Sequence, residues 1–399
     1  MNQKIPASQS TIFLPIAGTT FFRLVFNTAR RFAYPFAPVL SRGLGVSLSA
    51  ITSLIAINQV TSLLGALIGP LSDRLGYRKM MIAGMAMLAT GMLAAAIFPI
   101  YAVVLVALFL AGLGKSIFDP AVQAWTGSRV PYRRRALVIG IMETSWSAST
   151  LIGIPLVAIL MDRYGWQSPF LVMGGLGCIG AIALFFIIPK ESEPPLQEVS
   201  PSDYFGAYSR LISNKTALGV LGYVFFVSAA NDNLFVVYGA WLEKSFGLGI
   251  VALGLGTSLI GMAELAGEGL TAAVSDRFGL KRALVVGLSL SVLSYFALPF
   301  LDTSLTAAMS GLAVLFFIYE FTLVTSLSLC TEILPGFRAT MMSGFFATAG
   351  IGRVLGALMG GVVWQTGGIL ATGCISGVLT CLGLLCLIRG LRGWAQTGT

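Results

Sequence analysis

Eleven charged side chains stand inside stretches that are otherwise apolar: Arg23, Arg30, Arg31, Lys115 and Arg353 against Asp119, Glu143, Asp232, Glu264, Glu268 and Glu320. At the centre of a lipid-facing helix such a group costs about 2.5 to 3.5 kcal/mol, so each must face protein or a water-filled cavity. At about 100° per residue, Arg23, Asn27, Arg30 and Tyr34 fall within roughly 60° of one another and make a polar stripe on one helical face. Arg31 points about 80° away from the origin of that stripe. A guanidinium stays charged at physiological pH and offers a rigid fork of donors, which suits a carboxylate, phosphate or sulfonate. The stripe therefore points to a solute with an anionic group. The alternative reading pairs the same arginines internally with Glu264, Glu268, Glu320 or Asp232.

A second polar cluster, Asn231, Asp232 and Asn233, lies in the other half of the chain. Neighbours on a helix diverge by about 100°, so at most two of the three face one cavity. With Arg353 and the first stripe, Asn231 and Asn233 complete the candidate substrate-binding set. Asp232 and Glu320 have no basic neighbour in sequence, and carboxylates of that kind can take up and release protons. They and Glu264 are the candidates for proton coupling. Lys115 and Asp119, four residues apart, read as a structural ion pair. Phe36, Trp125, Trp146 and Tyr238 either line a cavity for a bulky ligand or pack.

The elements that must position these groups are membrane helices. The 399 residues are 56% hydrophobic and 10% charged, with a mean hydropathy of +0.87, too little polar surface for a soluble fold of this size. Twelve apolar runs follow one another, the first at 12–40 and the last at 367–389, and only helices satisfy their own backbone in lipid. The first run, preceded by a single lysine and followed by no small-residue cleavage site, is expected to be retained as a helix. An even count puts both termini on one side. That side collects seventeen of the 25 basic residues, while only Arg42, Arg163 and Lys244 fall opposite, so the termini are expected in the cytoplasm. The same asymmetry accounts for the net charge of +9 without a nucleic-acid partner. The polar stretch 190–213, KESEPPLQEVSPSDYFGAYSRLIS, divides the chain into residues 1–189, a linker, and residues 214–399.

The five cysteines form no CxxC pair and there is no histidine, so neither a metal site nor a cofactor is expected. No GxxxxGK[ST] loop offers ATP drive. No clustered nucleophile supports an enzyme, and no repeated pore-lining ring supports a channel.

The halves repeat. GPLSDRLGYRKM at 69–80 is echoed by AAVSDRFGLKRA at 272–283, a shift of 203 that also carries Arg135 onto Arg338, Gly153 onto Gly356 and Gly165 onto Gly368. Gly69, Leu71, Asp73, Arg74, Gly76, Arg78 and Lys79 match the GxLxDRxGxRK signature between the second and third helices of the major facilitator superfamily, and the resemblance covers the whole chain. It implies an all-α membrane protein of twelve transmembrane helices in two pseudo-symmetric six-helix bundles. It also implies a cytoplasmic latch formed by Gly69, Asp73, Arg74, Gly76 and Arg78 with Asp276, Arg277 and Gly279, each aspartate facing a helix N-terminus of the other half.

Branches of the superfamily narrow this less. LFLAGLGKS at 108–116 departs from the helix-4 motif of drug and proton antiporters. RRFAYPFAP at 30–38 resembles the first helix of organophosphate antiporters, with Asn233 where those carry a second arginine. The expectation is a secondary active transporter of the cell membrane, monomeric and proton-coupled, working by alternating access on a small solute with an anionic group. The alternative is a proton-driven exporter of amphipathic compounds.

Overall fold

The computed structural model describes residues 9–130, 132–189, 209, 211–334 and 338–394. Almost all of the linker at 190–213 lies outside them. Among the described residues there is no strand. The first half contains α1 (Gln9–Arg31), α2 (Ala37–Leu44), α3 (Leu48–Leu75), α4 (Tyr77–Ile97), α5 (Tyr101–Arg129), α6 (Tyr132–Ala148), α7 (Ile154–Tyr164) and α8 (Ser168–Ile187). The second contains α9 (Lys215–Phe235), α10 (Tyr238–Phe246), α11 (Ile250–Phe278), α12 (Leu280–Ala297), α13 (Leu305–Ile333) and α14 (Arg338–Gly390). Nine described helices are long and apolar enough to cross a membrane. One of them, α14, is broken by non-helical backbone at Gly367 and Gly368, and the arrangement is consistent with the twelve expected spans.

Glycines make the repeat visible in the backbone. Gly76 (φ 91°) and Gly279 (φ 86°) occupy the turns that lead into α4 and α12, and Gly165 (φ 87°) and Gly368 (φ 57°) stand in the same relation at the 203-residue shift. Only glycine enters this region of φ without strain. Local capping sets other boundaries: the Asn214 side chain accepts from the amides of Thr216 and Ala217 at 2.9 and 3.0 Å and so starts α9.

The first span of each half is interrupted at a matching depth. α1 stops at Arg31, residues 32–36 turn, and α2 resumes with Pro38 in its first turn. α9 stops at Phe235 and α10 resumes at Tyr238. A few backbone bonds carry the chain across, Tyr34 N–H to the Arg31 carbonyl at 3.1 Å and Phe36 N–H to that of Phe32 at 3.4 Å in the first break, and Val236 N–H to the Asp232 carbonyl at 3.1 Å and Val237 N–H to that of Leu234 at 3.0 Å in the second. Backbone irregularity at membrane depth is tolerated where it lines a cavity or is covered by protein, and both interruptions are buried.

α4 packs on α5 and α8 in the first half, α9 on α14 and α11 on α13 in the second, and the halves meet through α3 with α14 and α7 with α11. Large apolar side chains such as Phe186 (78% exposed) and Phe300 (77%) point outward, as a lipid-facing surface requires.

Candidate functional site

The two interruptions face one cavity between the halves. Arg30, Arg31 and Tyr34 line it from the break after α1, and Asn231, Asp232 and Phe235 from the end of α9. α3, α6, α11, α13 and α14 contribute Gln59, Trp146, Glu264, Glu320 and Arg353. Close backbone contacts fix these side chains in depth. A Cβ on Gly352 or Gly356 would stand 2.3 Å from the carbonyl oxygen of Phe225 or Ala229, so α14 lies directly on α9 and carries Arg353 between the two contacts. A Cβ on Gly267 would meet the Phe317 carbonyl at 2.5 Å, which brings the carboxylates of α11 beside Glu320 of α13.

A hydrogen-bond chain crosses the cavity from one half to the other. Arg30 Nη2 donates to Gln59 Oε1, Gln59 Nε2 donates to the Tyr34 hydroxyl at 2.5 Å, and that hydroxyl donates to Asp232 Oδ2 at 3.1 Å. The direction follows from the donors: a carboxylate accepts, and a phenol has a single proton to give. The Tyr34 ring packs against Phe235 with centroids 4.6 Å apart.

Beside this chain Arg31 meets Glu264 across the halves, its Nη2 at 2.7 and 3.0 Å from the two carboxylate oxygens, with both side chains 5% exposed. The guanidinium lies 4.4 Å from the Trp146 ring centroid and 5.7 Å from that of Phe235, a cation–π setting in which desolvation strengthens the attraction. Arg353 has no hydrogen bond or ion pair among the described residues, and Tyr319, Asp232, Tyr34 and Glu320 feel its charge.

Other sequence candidates stand elsewhere. Arg23 is buried within the first half, with Nε 3.2 Å from Asp119 and Nη1 2.8 Å from Glu143, and Lys115 completes the group by bonding Asp119. Two positive and two negative charges neutralise each other there, away from the cavity lining. Asn27 donates to Ser145 Oγ at 3.3 Å. Asn233 turns to the last span, donating to the Thr372 carbonyl at 3.3 Å and to Ser376 Oγ at 3.1 Å. Of the aromatic candidates only Trp146 lines the cavity; Phe36, Trp125 and Tyr238 are buried packing residues.

In the signature turns Arg78 donates to the Phe185 carbonyl and covers its ring at 4.5 Å, and Lys281 donates to the Leu391 carbonyl at 2.8 Å. Each tie stays within its own half, the first to α8 and the second to the turn that follows α14. Of the latch residues, the side chains of Asp73, Arg74, Asp276 and Arg277 are not among those described, and Gly69 lies within α3.

Sequence reasoning passed over Gln59 and Tyr319, and it left Arg31 off the binding stripe while weighing internal pairing of the arginines with Glu264. Gln59 carried a signal, as one of two adjacent amides, Asn58 and Gln59, in an apolar run. Arg31 was set apart because angular bookkeeping assumes a helix that continues, and α1 ends there.

Described contacts between the halves extend from this cavity to the end bearing the connections at 45–47 and 247–249. A Cβ on Gly239 would stand 2.1 Å from the Pro35 carbonyl oxygen, and one on Gly361 2.6 Å from Thr52 Oγ1. Arg42 Nη1 meets Glu243 Oε1 at 2.6 Å at the rim.

Two repeated helical halves enclosing a charged cavity at mid-span define a membrane transporter of the secondary type. The sequence profile of the Major Facilitator Superfamily matches residues 19–317 and 220–394, and the chain belongs to that superfamily. It is similar to the uncharacterized MFS-type transporter YceJ of Bacillus subtilis (strain 168), 26% identical over 303 residues and 75% of each chain. It is also similar to the inner membrane transport protein YdhP of Escherichia coli O157:H7, 25% identical over 90% of this chain and 91% of that one. A Lactococcus lactis subsp. lactis (strain IL1403) homolog of the multi-drug resistance efflux pump PmrA is 25% identical over 68% of each chain. The fold superposes on a bacterial homolog of the human lysosomal transporter Spinster, solved inward-facing and unoccupied, with a TM-score of 0.80 at 15% identity, covering 98% of this chain and all of the other.

Proposed function

We propose that this protein carries a small organic solute with an anionic group across the cell membrane by alternating access, coupled to protons. The observation that carries the reading is the pair of guanidiniums, Arg30 of the first half and Arg353 of the second, facing one cavity. An anion held by both would bind each half and draw them together. The second arginine that position 233 lacks is thereby supplied from α14.

Asp232 and Glu320 are the proton carriers in this reading, since both carboxylates line the cavity and neither has an ion pair within 4 Å among the described residues. With the termini cytoplasmic by charge bias, the end at which α2 meets α10 is the outer one. Residues 1–189 and 214–399 act as the rocking bodies of a monomer, with the signature turns as the inner latch.

Binding of organic carboxylates and phosphates to purified protein tests the anion site. Arg30→Ala and Arg353→Ala are each expected to weaken it by about 2 kcal/mol or more; unaltered affinity in both discards it. In proteoliposomes a pH gradient should drive uptake or release, and Asp232→Asn or Glu320→Gln should remove that drive while exchange persists. Full gradient drive in both variants would refute the proton assignment.

A second reading, export of amphipathic compounds, is favoured by the aromatic wall of Trp146, Phe235, Phe316 and Tyr319 and by the likeness to the PmrA homolog. Protection by neutral amphiphiles independent of both arginines would select it.

A further inference from the structure

The central cavity is electrically lopsided. Glu264 of α11 and Glu320 of α13 line it, with Glu268 of α11 outside the lining but near enough for its charge to reach Glu320, and of the three only Glu264 has a basic partner within 4 Å among the described residues, namely Arg31. Glu320 is 94% buried by its 6% exposure, lines the cavity, and receives no hydrogen bond or ion pair among the described residues. The charges it feels first are the other two carboxylates. Arg30 and Arg353, by contrast, outnumber Asp232, the carboxylate whose charge both of them feel, and Arg353 stands between that group and Glu320 in the charges it feels. A buried charge with no partner is costly, and among the described residues Glu320 and Arg353 have no hydrogen bond or ion pair, so these two are placed to be completed from outside the chain.

We propose that the solute is amphoteric, with a carboxylate or phosphate held by Arg30 and Arg353 and a protonated amine held by Glu320. An ammonium is the complement the negative side calls for. It is compact, permanently charged near neutral pH, and supplies up to three donors to a carboxylate that has none. The separation of the two poles onto different helices, α13 against α1 and α14, then selects by the distance between the amine and the acid of the solute. This deepens the reading of Arg30 and Arg353 as an anion grip and rests on it.

The test uses the full chain purified in detergent and three probe sets built on one skeleton: free amino acids and dipeptides, their N-acetyl derivatives, and their carboxy-terminal amides. Calorimetric titration is expected to find binding among the free forms, with N-acetylation and amidation each weakening it by at least about thirtyfold, since each leaves a buried charge unpaired. Glu320→Gln should lower affinity for the free form and erase the N-acetyl penalty. Arg353→Ala should erase the amidation penalty instead. If N-acetyl forms bind as tightly as their parents while amidation remains costly, the amine pole is wrong and the anion reading survives. Should only neutral compounds bind, both fall. Glu320→Gln that alters pH-gradient drive yet keeps the N-acetyl penalty would make Glu320 a proton site alone, and overturn the inference.

Discussion

Arg31 and Glu264 hold each other in a place where neither is stable alone. Removing one partner leaves a buried charge, so Arg31→Ala or Glu264→Ala is expected to cost about 3 to 5 kcal/mol, whereas joint replacement by apolar residues of similar volume is tolerated far better. Thermal unfolding in detergent, run as a double-mutant cycle, checks this; additive losses would mean that the pair does not couple the halves. Arg30, Tyr34, Asp232 and Glu320 were legible from the sequence, because a charged or polar group in an apolar run must turn inward and helical periodicity says which ones share a face. Partner choice was not legible. Arg23 sits on the same stripe as Arg30, yet Asp119 and Glu143 reach it from α5 and α6, and no rule of spacing along one helix anticipates neighbours 96 and 120 residues away.

At the scale of elements, apolar run length located the spans because lipid thickness fixes it, and the repeated SDRxG turns located the halves. The mid-span breaks at 32–36 and 236–237 escaped that reading, since an apolar run looks the same whether its helix is straight or interrupted; Pro35 and Pro38 were the only local hints. What the breaks demand is close packing around them, and glycine provides it. Gly356→Leu would press a side chain into the Ala229 carbonyl, prise α14 from α9, and is expected to destabilise by about 1 to 3 kcal/mol with loss of transport. Gly249→Ala, where nothing stands within 4 Å, is the control expected to leave both unchanged. Equal unfolding temperatures for the two variants would contradict the packing argument.

The whole molecule is closed at one end by α2 against α10, with Arg42 and Glu243 joined at the rim and Lys244 lying 5.8 Å from the Trp364 ring. Joining Arg42→Cys and Glu243→Cys with a short reducible thiol cross-linker, in a background lacking the native cysteines, should arrest transport while solute still binds; reductant should restore turnover. Unimpeded transport after complete cross-linking would show that this end need not open. The same opening would carry Glu264 away from Arg31 and leave the cation beside Trp146 with its counter-charge gone. Indole emission responds to nearby charge, and Trp146 is one of only six tryptophans in the chain, with Trp125 and Trp241 sealed in the interior. The protein thus contains its own optical indicator: its intrinsic fluorescence should shift whenever the halves part, and Trp146→Phe should remove the part of that shift that the cavity contributes, leaving only what Trp364 at the rim adds.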